Sequence, residues 1–215
     1  MSAKIIVSYD GTENDRDAVA LGMLLAGDAA LLALAYVRHD CAEAADDPQG
    51  MLDAAAGNID RPVSTHVVVS GSTPEGLRQL AVQIGGDVIV FGPEYRTAPG
   101  HVYPQASARR LLDGGPVAIA LAPAGFSTLS GANVKVLGAV GEDGDPCVLE
   151  TAEQLAARLG AEVADHATAA ADLIVVGSKP GTVTGRVTIS AAADYLIELA
   201  RCPVLVLPRG VALDL

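Results

Sequence analysis

The 215-residue sequence contains no tryptophan, and only 3% of it is aromatic. Surfaces that stack nucleic-acid bases depend on aromatic platforms, so this composition argues against one. Basic residues are also scarce: 14 Lys and Arg stand against 26 Asp and Glu, a formal net charge of −12. An acidic field repels phosphate backbones, whose neutralisation drives nucleic-acid binding. The three cysteines, Cys41, Cys147 and Cys202, are scattered and form no CxxC pair. They read as reduced thiols, with Cys202 a small core residue. The longest greasy region, residues 18–37, is interrupted by Gly27-Asp28 and reads as a helix then a strand, with no membrane span. The opening "MSAKIIVSYDG" lacks the basic region, apolar core and cleavage site of a secretory leader. These features predict a soluble cytoplasmic protein that contacts neither membrane nor nucleic acid.

Enzyme signatures are missing as well. There is no Gly-x-Ser-x-Gly elbow and no Gly-x4-Gly-Lys-Ser/Thr phosphate loop. The segment "GAVGEDG" has glycines three apart but does not make GxGxxG. His39, His66, His101 and His166 show no metal-ligand spacing, and the consecutive trio His39-Asp40-Cys41 is too close-set to converge on one ion. The expectation is a protein with no catalytic constellation and no metal.

What is present is an apolar half rich in Ala, Val, Leu and Ile, and one phrase written twice. "DVIVFGPEYR" spans residues 87–96, and "DLIVVGSKPG" spans 172–181. Short apolar runs without alternation suit strands covered on both faces. The first copy reads as strands at "KIIVSYDG", "ALLALAYV", "STHVVVS", "DVIVFG" and "PVAIALAP". Helices fall between them. Thr12 with Asp15 makes a capping-box start, Thr73-Pro74 a capped start, and Gly85-Gly86 a stop. A further helix covers about Pro104 to Asp113. The second copy reads as a strand at "VKVLGAVGEDG", a helix started by Asp145-Pro146, a turn-like passage, the repeated strand, a helix from about Ile189 to Ala200, and "CPVLVLP".

Gly92 to Pro116 is 24 residues and Gly177 to Pro203 is 26, which supports duplication. Ile5 to Asp87 is 82 residues but Val136 to Asp172 only 36, so the second copy is shorter by roughly one helix and one strand. Alternating strands and helices require parallel pairing with right-handed crossovers. The prediction is therefore an α/β protein of two doubly wound parallel-sheet units, over residues 1–123 and, reduced, 133–210, joined by a linker at 124–132. The shortened unit needs its flank covered, and the two last strands are the expected contact, within one chain or between two. Ligands in such sheets sit at the strands' carboxyl ends where strand order reverses. That singles out Asp10-Gly11 and Gly92 in the first copy, and Gly141 and Gly177 in the second.

The segments "IIVSYDG", "DLIVVGS" and "YLIELARCPVLVLP" resemble the universal stress protein family in its tandem form. The resemblance implies sheets ordered 3-2-1-4-5 and dimers that pair their last strands. It also implies ATP, with Mg, or AMP in those members that keep a loop of Gly, two residues, Gly, nine residues, Gly and Ser or Thr. Glycines in such a loop let backbone N–H groups approach phosphate. On this pattern Asp10 would meet the adenosine and Gly92, Arg96 and Ser107 the phosphates, with Gly11 and Val37 as further candidate cofactor-binding residues. Tyr95 replaces the second glycine, and the first loop reads as one residue longer, with Ala106-Ser107 closing it. In the second copy Gly177, Lys179, Gly181 and Ser190 are the candidates. Pro180 takes the second glycine's place and Gly141 that of Asp10. Two readings stay open: a weak adenine-nucleotide binder with a stress or signalling role, and an interaction scaffold that keeps the fold for assembly.

Overall fold

The computed structural model describes residues 2–39, 47–128, 134–142, 145–164 and 170–215. The first half runs β1 (Lys4–Ser8), α1 (Asp15–Ala26), β2 (Leu31–Arg38), α2 (Pro48–Ala56), β3 (Val63–Val69), α3 (Thr73–Ile84), β4 (Val88–Phe91), α4 (Ala106–Leu111), β5 (Asp113–Gly115) and β6 (Ala118–Leu121). The second runs β7 (Val136–Val140), α5 (Pro146–Leu159), β8 (Glu162–Ala164), β9 (Leu173–Val176), β10 (Val187–Thr188), α6 (Ala191–Leu199) and β11 (Val204–Val206).

Nine strands form one continuous sheet in the order β3-β2-β1-β4-β6-β11-β9-β7-β8. Within each half every pairing in this sheet is parallel. The first half thus has the expected 3-2-1-4-5 order. The halves meet at β6 and β11, which pair antiparallel through Leu121↔Val204, Ala120↔Leu205 and Ile119↔Val206. The last strands therefore pair within one chain, and each covers the other's edge.

Strands at the centre are buried on both faces, which is why their sequences are apolar runs. All four residues of β4 and all four of β9 are buried. One core lies under α1, α2 and α5; the other lies under α3, α4 and α6. Both cores draw on the two halves: Leu25, Val90, Leu137, Leu155 and Val175 share the first. The acid that opens each repeated phrase is structural. Asp87 accepts from the Lys4 N–H at 2.8 Å, and Asp172 from the Lys135 and Val136 N–H groups at 2.8 and 3.1 Å. Each carboxylate thus fastens the start of the neighbouring strand.

The sheet departs from the sequence expectation in four places. The passage read as a turn contains β8, three residues carried by pairing with β7 and too short for a periodicity signal. β5 and β10 make a separate two-stranded antiparallel ribbon whose Asp-Gly-Gly strand has no β propensity of its own. Among the described residues the second half lacks counterparts of α2, β3 and α3, two helices and a strand rather than one of each. The expected linker is packed at its start: a 3-10 turn at Phe126–Thr128 buries Phe126 in the first core, while residues 129–133 lie outside the described residues. Asp40, Cys41 and His166 also lie outside them. Cys202 is half-buried, and burial with the nearby Asp172 carboxylate pushes its thiol up to about 12, in keeping with an inert packing role.

Candidate functional site

β1 and β4 are neighbours through Val7↔Val90, so Asp10-Gly11 and Gly92 emerge side by side at the strand-order reversal. The start of α1 packs back against Gly92. Gly92 is where it is because the backbone of Asn14, at the start of α1, crosses its path. A Cβ there would lie 2.4 Å from the Asn14 carbonyl oxygen. The Asn14 side-chain amide donates to the Pro93 carbonyl at 3.1 Å. Gln105 donates from Nε2 to the Gly92 and Pro93 carbonyls, both at 3.3 Å. Gly92 therefore serves strand–helix packing, and a glutamine amide is laid across the loop mouth.

The backbone cradle after β1 is also taken. Asp15, 2% exposed, accepts from the Asp10 N–H at 2.9 Å and the Thr12 N–H at 2.7 Å. This is the return arm of the capping box that the sequence signalled, although regular helix begins only at Asp15 itself. Burial raises the Asp15 carboxyl to about 6; the backbone donors pull it down and the Asp10 charge pushes it up. Asp10 itself is exposed at the crevice rim. Desolvation by the surrounding loops raises its carboxyl, with His39 acting in the opposite sense. Gly11 has φ +80, a conformation that favours glycine, and Met51 of α2 lies over it.

The raised Asp15 carboxyl has a pH consequence. A group at about 6 when folded and near 3.9 when unfolded binds more protons in the native state between those values. Stability from this group is full below the unfolded value and is lost as pH rises through 6. Asp15→Asn keeps an acceptor oxygen and removes the titration. Urea unfolding at pH 4 and pH 7 is expected to show wild type losing about 2 kcal/mol more than the variant over that interval. Equal losses would contradict the assigned shift.

Three further candidates of the first half are dispersed. Val37, 4% exposed, is core: a Cβ on Gly76 of α3 would lie 2.7 Å from its Cγ1. Arg96 is exposed and stacks on the Tyr95 ring at 4.8 Å. It lines an outer groove of about 640 Å3 with Thr97, His101, Tyr103 and Arg109, away from Asp10. Ser107 is the second residue of α4, half-buried. The loop between is a hairpin. Glu94 N–H donates to Tyr103 O at 3.1 Å and Thr97 N–H to Glu94 O at 3.0 Å. Arg96 N–H donates to the Glu94 carboxylate at 3.0 Å. Those amides face the loop itself.

The second half repeats this hairpin 85 residues on, the same offset that separates Asp87 from Asp172. Lys179 N–H donates to Thr188 O at 2.8 Å, as Glu94 does to Tyr103. Gly185 N–H donates to Arg209 O at 2.8 Å, as Gly100 does to Ala124. The helices that follow have Gln105 and Ser190 at their N-cap positions, each 13 residues after its glycine. The two loops are thus equal in length, and Gln105-Ala106 rather than Ala106-Ser107 closes the first. The register of the first strands makes a second correction. Ile5 pairs with Val88 and Leu137 with Leu173, the residues after Asp87 and Asp172. Counting from those pairs puts Glu142, not Gly141, in the place of Asp10.

Glu142, Ser190, Arg209 and Asp145 pair across the second crevice. The Ser190 hydroxyl donates to the Glu142 carboxylate and accepts from the Ala193 N–H at 3.1 Å. A carboxylate of the chain thus sits at the N-terminus of α6, where an anion is favoured. Arg209 donates to the Glu142 carbonyl at 3.0 Å and its Nε lies 3.6 Å from the Asp145 carboxylate. Burial opposes ionisation of Asp145, but the Gly210 and Cys147 N–H groups and Arg209 hold its carboxyl below the usual range. Gly177 packs against Val148, whose Cγ2 would lie 2.8 Å from an added Cβ. Ser178, fully buried, donates to Leu207 O at 2.7 Å and accepts from Thr188 N–H at 3.1 Å. Lys179 and Gly181 are exposed on the outside of the hairpin. Among the described residues, no three His, Cys, Asp or Glu side chains converge as a metal site, and no helix is long and apolar enough to cross a membrane.

Of the sequence candidates, the structure brings together Asp10, Gly11 and Gly92. It separates them from Val37 and Arg96, and it sets Ser190 against a glutamate. Asp15, Gln105, Glu142 and Arg209 are not among the sequence candidates. Only Asp15 had a local signal, the capping-box spacing.

The architecture is that of universal stress proteins. No family model matches the chain, and no curated protein matches its sequence. Among solved structures, a functionally unknown protein from Pseudomonas aeruginosa PAO1 superposes with a TM-score of 0.73 at 16% identity, over 97% of this chain and 93% of that one. A putative universal stress protein from Pseudomonas aeruginosa UCBPP-PA14 gives 0.70 at 16% identity, covering 97% and 94%. A universal stress protein from Archaeoglobus fulgidus DSM 4304 gives 0.65 at 13%, covering 98% and 100%. The likeness extends over nearly the whole of each chain, including the shortened second half.

Proposed function

We propose that this chain is a non-catalytic interaction module with the universal stress protein fold, acting in a stress or signalling setting without a nucleoside triphosphate. The observation that supports the reading is that, among the described residues, the chain's own groups pair across both crevices. Asp15 occupies the backbone cradle after β1, Gln105 spans Gly92 and Pro93, and Glu142 sits on Ser190. A triphosphate brought to either place would meet a carboxylate or displace paired amides, and burying like charges together is costly. The residues present do not fit Mg-ATP.

A second reading keeps a nucleoside or monophosphate at the rim of the first crevice, because Asp10 remains exposed there with His39 nearby. Thermal unfolding with excess Mg-ATP, ADP, AMP and adenosine separates the two. A ligand at one hundred times its dissociation constant adds about 2.7 kcal/mol to the native state. The expected result is no shift with ATP or ADP. A shift with AMP or adenosine that Asp10→Ala abolishes would establish the second reading. An ATP shift of that size, lost in Asp10→Ala, would overturn the first.

A further inference from the structure

α6 has two apolar stripes. Ala193 and Ile197 face the sheet, 3% and 0% exposed. Ala192, Tyr195, Leu196 and Leu199 fall at i, i+3, i+4 and i+7, which places them on one other face of the helix. Tyr195 is 63% exposed and Leu199 58%; Ala192 is exposed and Leu196 half-buried. A nine-residue helix with a core stripe needs no second one for folding.

The first half shows what belongs on this flank. Leu111 of α4 is the counterpart of Leu196, each 19 residues after Gly92 or Gly177. Leu111 is 3% exposed and shares its core with Leu77 and Leu80 of α3. α3 lies alongside α4, so that Arg110 and Leu111 face Glu75 and Arg78 across a narrow crevice. The second half has only eight residues between β8 and β9, fewer than the twelve of α3. Arg110 and Tyr195 are counterparts and both exposed, but only the second helix places an aromatic side chain there. An exposed flank selected only for solubility would hold the charge instead.

We propose that this outward stripe of α6 docks an amphipathic helix of a partner protein, of about three turns and basic on its polar face, in the way α3 lies beside α4. Helix-in-groove recognition uses anchors at this i, i+3, i+4, i+7 spacing. A second copy of this chain is disfavoured, because each copy carries a formal charge of −12 and the two fields repel. The same field draws in a basic helix. The partner class named here rests on the interaction role proposed above. Nucleotide titration reports on the crevices and helix titration on α6, so failure of either is read separately.

The test uses the intact chain and two fluorescein-labelled synthetic helices of about sixteen residues, with leucine at i, i+3, i+4 and i+7 and either lysine or glutamate elsewhere. Fluorescence anisotropy is expected to show saturable binding of the lysine helix. Tyr195→Ser combined with Leu199→Ser should weaken it at least about tenfold, as loss of central apolar anchors does. The glutamate helix should bind at least about tenfold more weakly than the lysine helix at low salt. Both substituted side chains are exposed, so the Tm of the variant is expected to match wild type. Equal binding of the lysine helix by variant and wild type, or no saturable binding, overturns the proposal. So does light scattering that finds a wild-type dimer made monomeric by the double substitution, since the occupant would then be a second copy.

Discussion

Leu205→Pro is expected to destabilise both halves of the chain together. Leu205 is the central residue of β11, paired with Ala120 of β6 on one side and Val175 of β9 on the other. Proline there removes a ladder donor and forces its ring against neighbouring backbone, at a cost of about 3 kcal/mol or more. Domain stabilities are only about 5–15 kcal/mol, so the loss is a large share of the total. For a chain of this length it corresponds to a fall in Tm of roughly 6–12 °C. Both cores cross the β6–β11 joint, so circular dichroism and intrinsic tyrosine fluorescence should report one coincident transition. A two-step melt, with one step at the wild-type temperature, would show that the halves are stable separately.

Asp17→Ala is expected to cost about 3 kcal/mol by loss of a buried acceptor of three hydrogen bonds. Asp17, on α1 and 5% exposed, accepts from the Gly125 N–H at 2.8 Å, the Ser127 N–H at 2.8 Å and the Ser127 hydroxyl at 2.7 Å. These donors belong to the segment leaving β6, more than a hundred residues further along. Alanine leaves the two N–H groups without their acceptor and frees the 3-10 turn that buries Phe126. Asp17→Asn retains one oxygen and should cost about half as much. The exposed control Asp60→Ala should change stability by no more than about 0.5 kcal/mol. Guanidinium unfolding measures all three. A loss from Asp17→Ala no larger than from Asp60→Ala would show that the turn is held by other contacts. Asp145 does the same work in the second half, accepting from Gly210 N–H at 2.9 Å after β11. The carboxylate that clamps the chain's exit from the sheet is thus a feature of both halves.

Much of this architecture can be read along the chain. The apolar runs at residues 4–8, 31–38, 88–91 and 173–176 are strands, and Asp145-Pro146 with Gly160 bounds a helix. The duplicated phrase marks a duplicated strand-and-hairpin. Register is harder to read. Pro116 and Pro203 look like matching landmarks in sequence, yet they are not counterparts in space. Ile89 pairs with Ile119 and Ile174 with Val204, and both members of the second pair follow the first by the one offset that separates Asp87 from Asp172. On that offset Pro203 answers to Ala118, so the two-residue difference counted between the prolines vanishes. Glu142 likewise looks like part of a glycine-rich turn in sequence, and only strand pairing puts it in the place of Asp10. β5 has no strand formers, and β8 and β10 are only three and two residues long, too short for a periodicity signal; all three are carried by the partners that neighbouring backbone offers.

The repeating α/β order, the buried parallel strands and the approximate helix limits follow from local pattern, since periodicity, caps and glycine stops act over a few residues. The fold brings the last strands together inside one chain and, among the described residues, pairs the chain's own groups across both crevices. Gln105 closes on Gly92 from 13 residues away, Ser190 on Glu142 from 48, and Ser127 on Asp17 from 110. Such pairs leave no pattern in a local window, because each depends on a fold that is already complete.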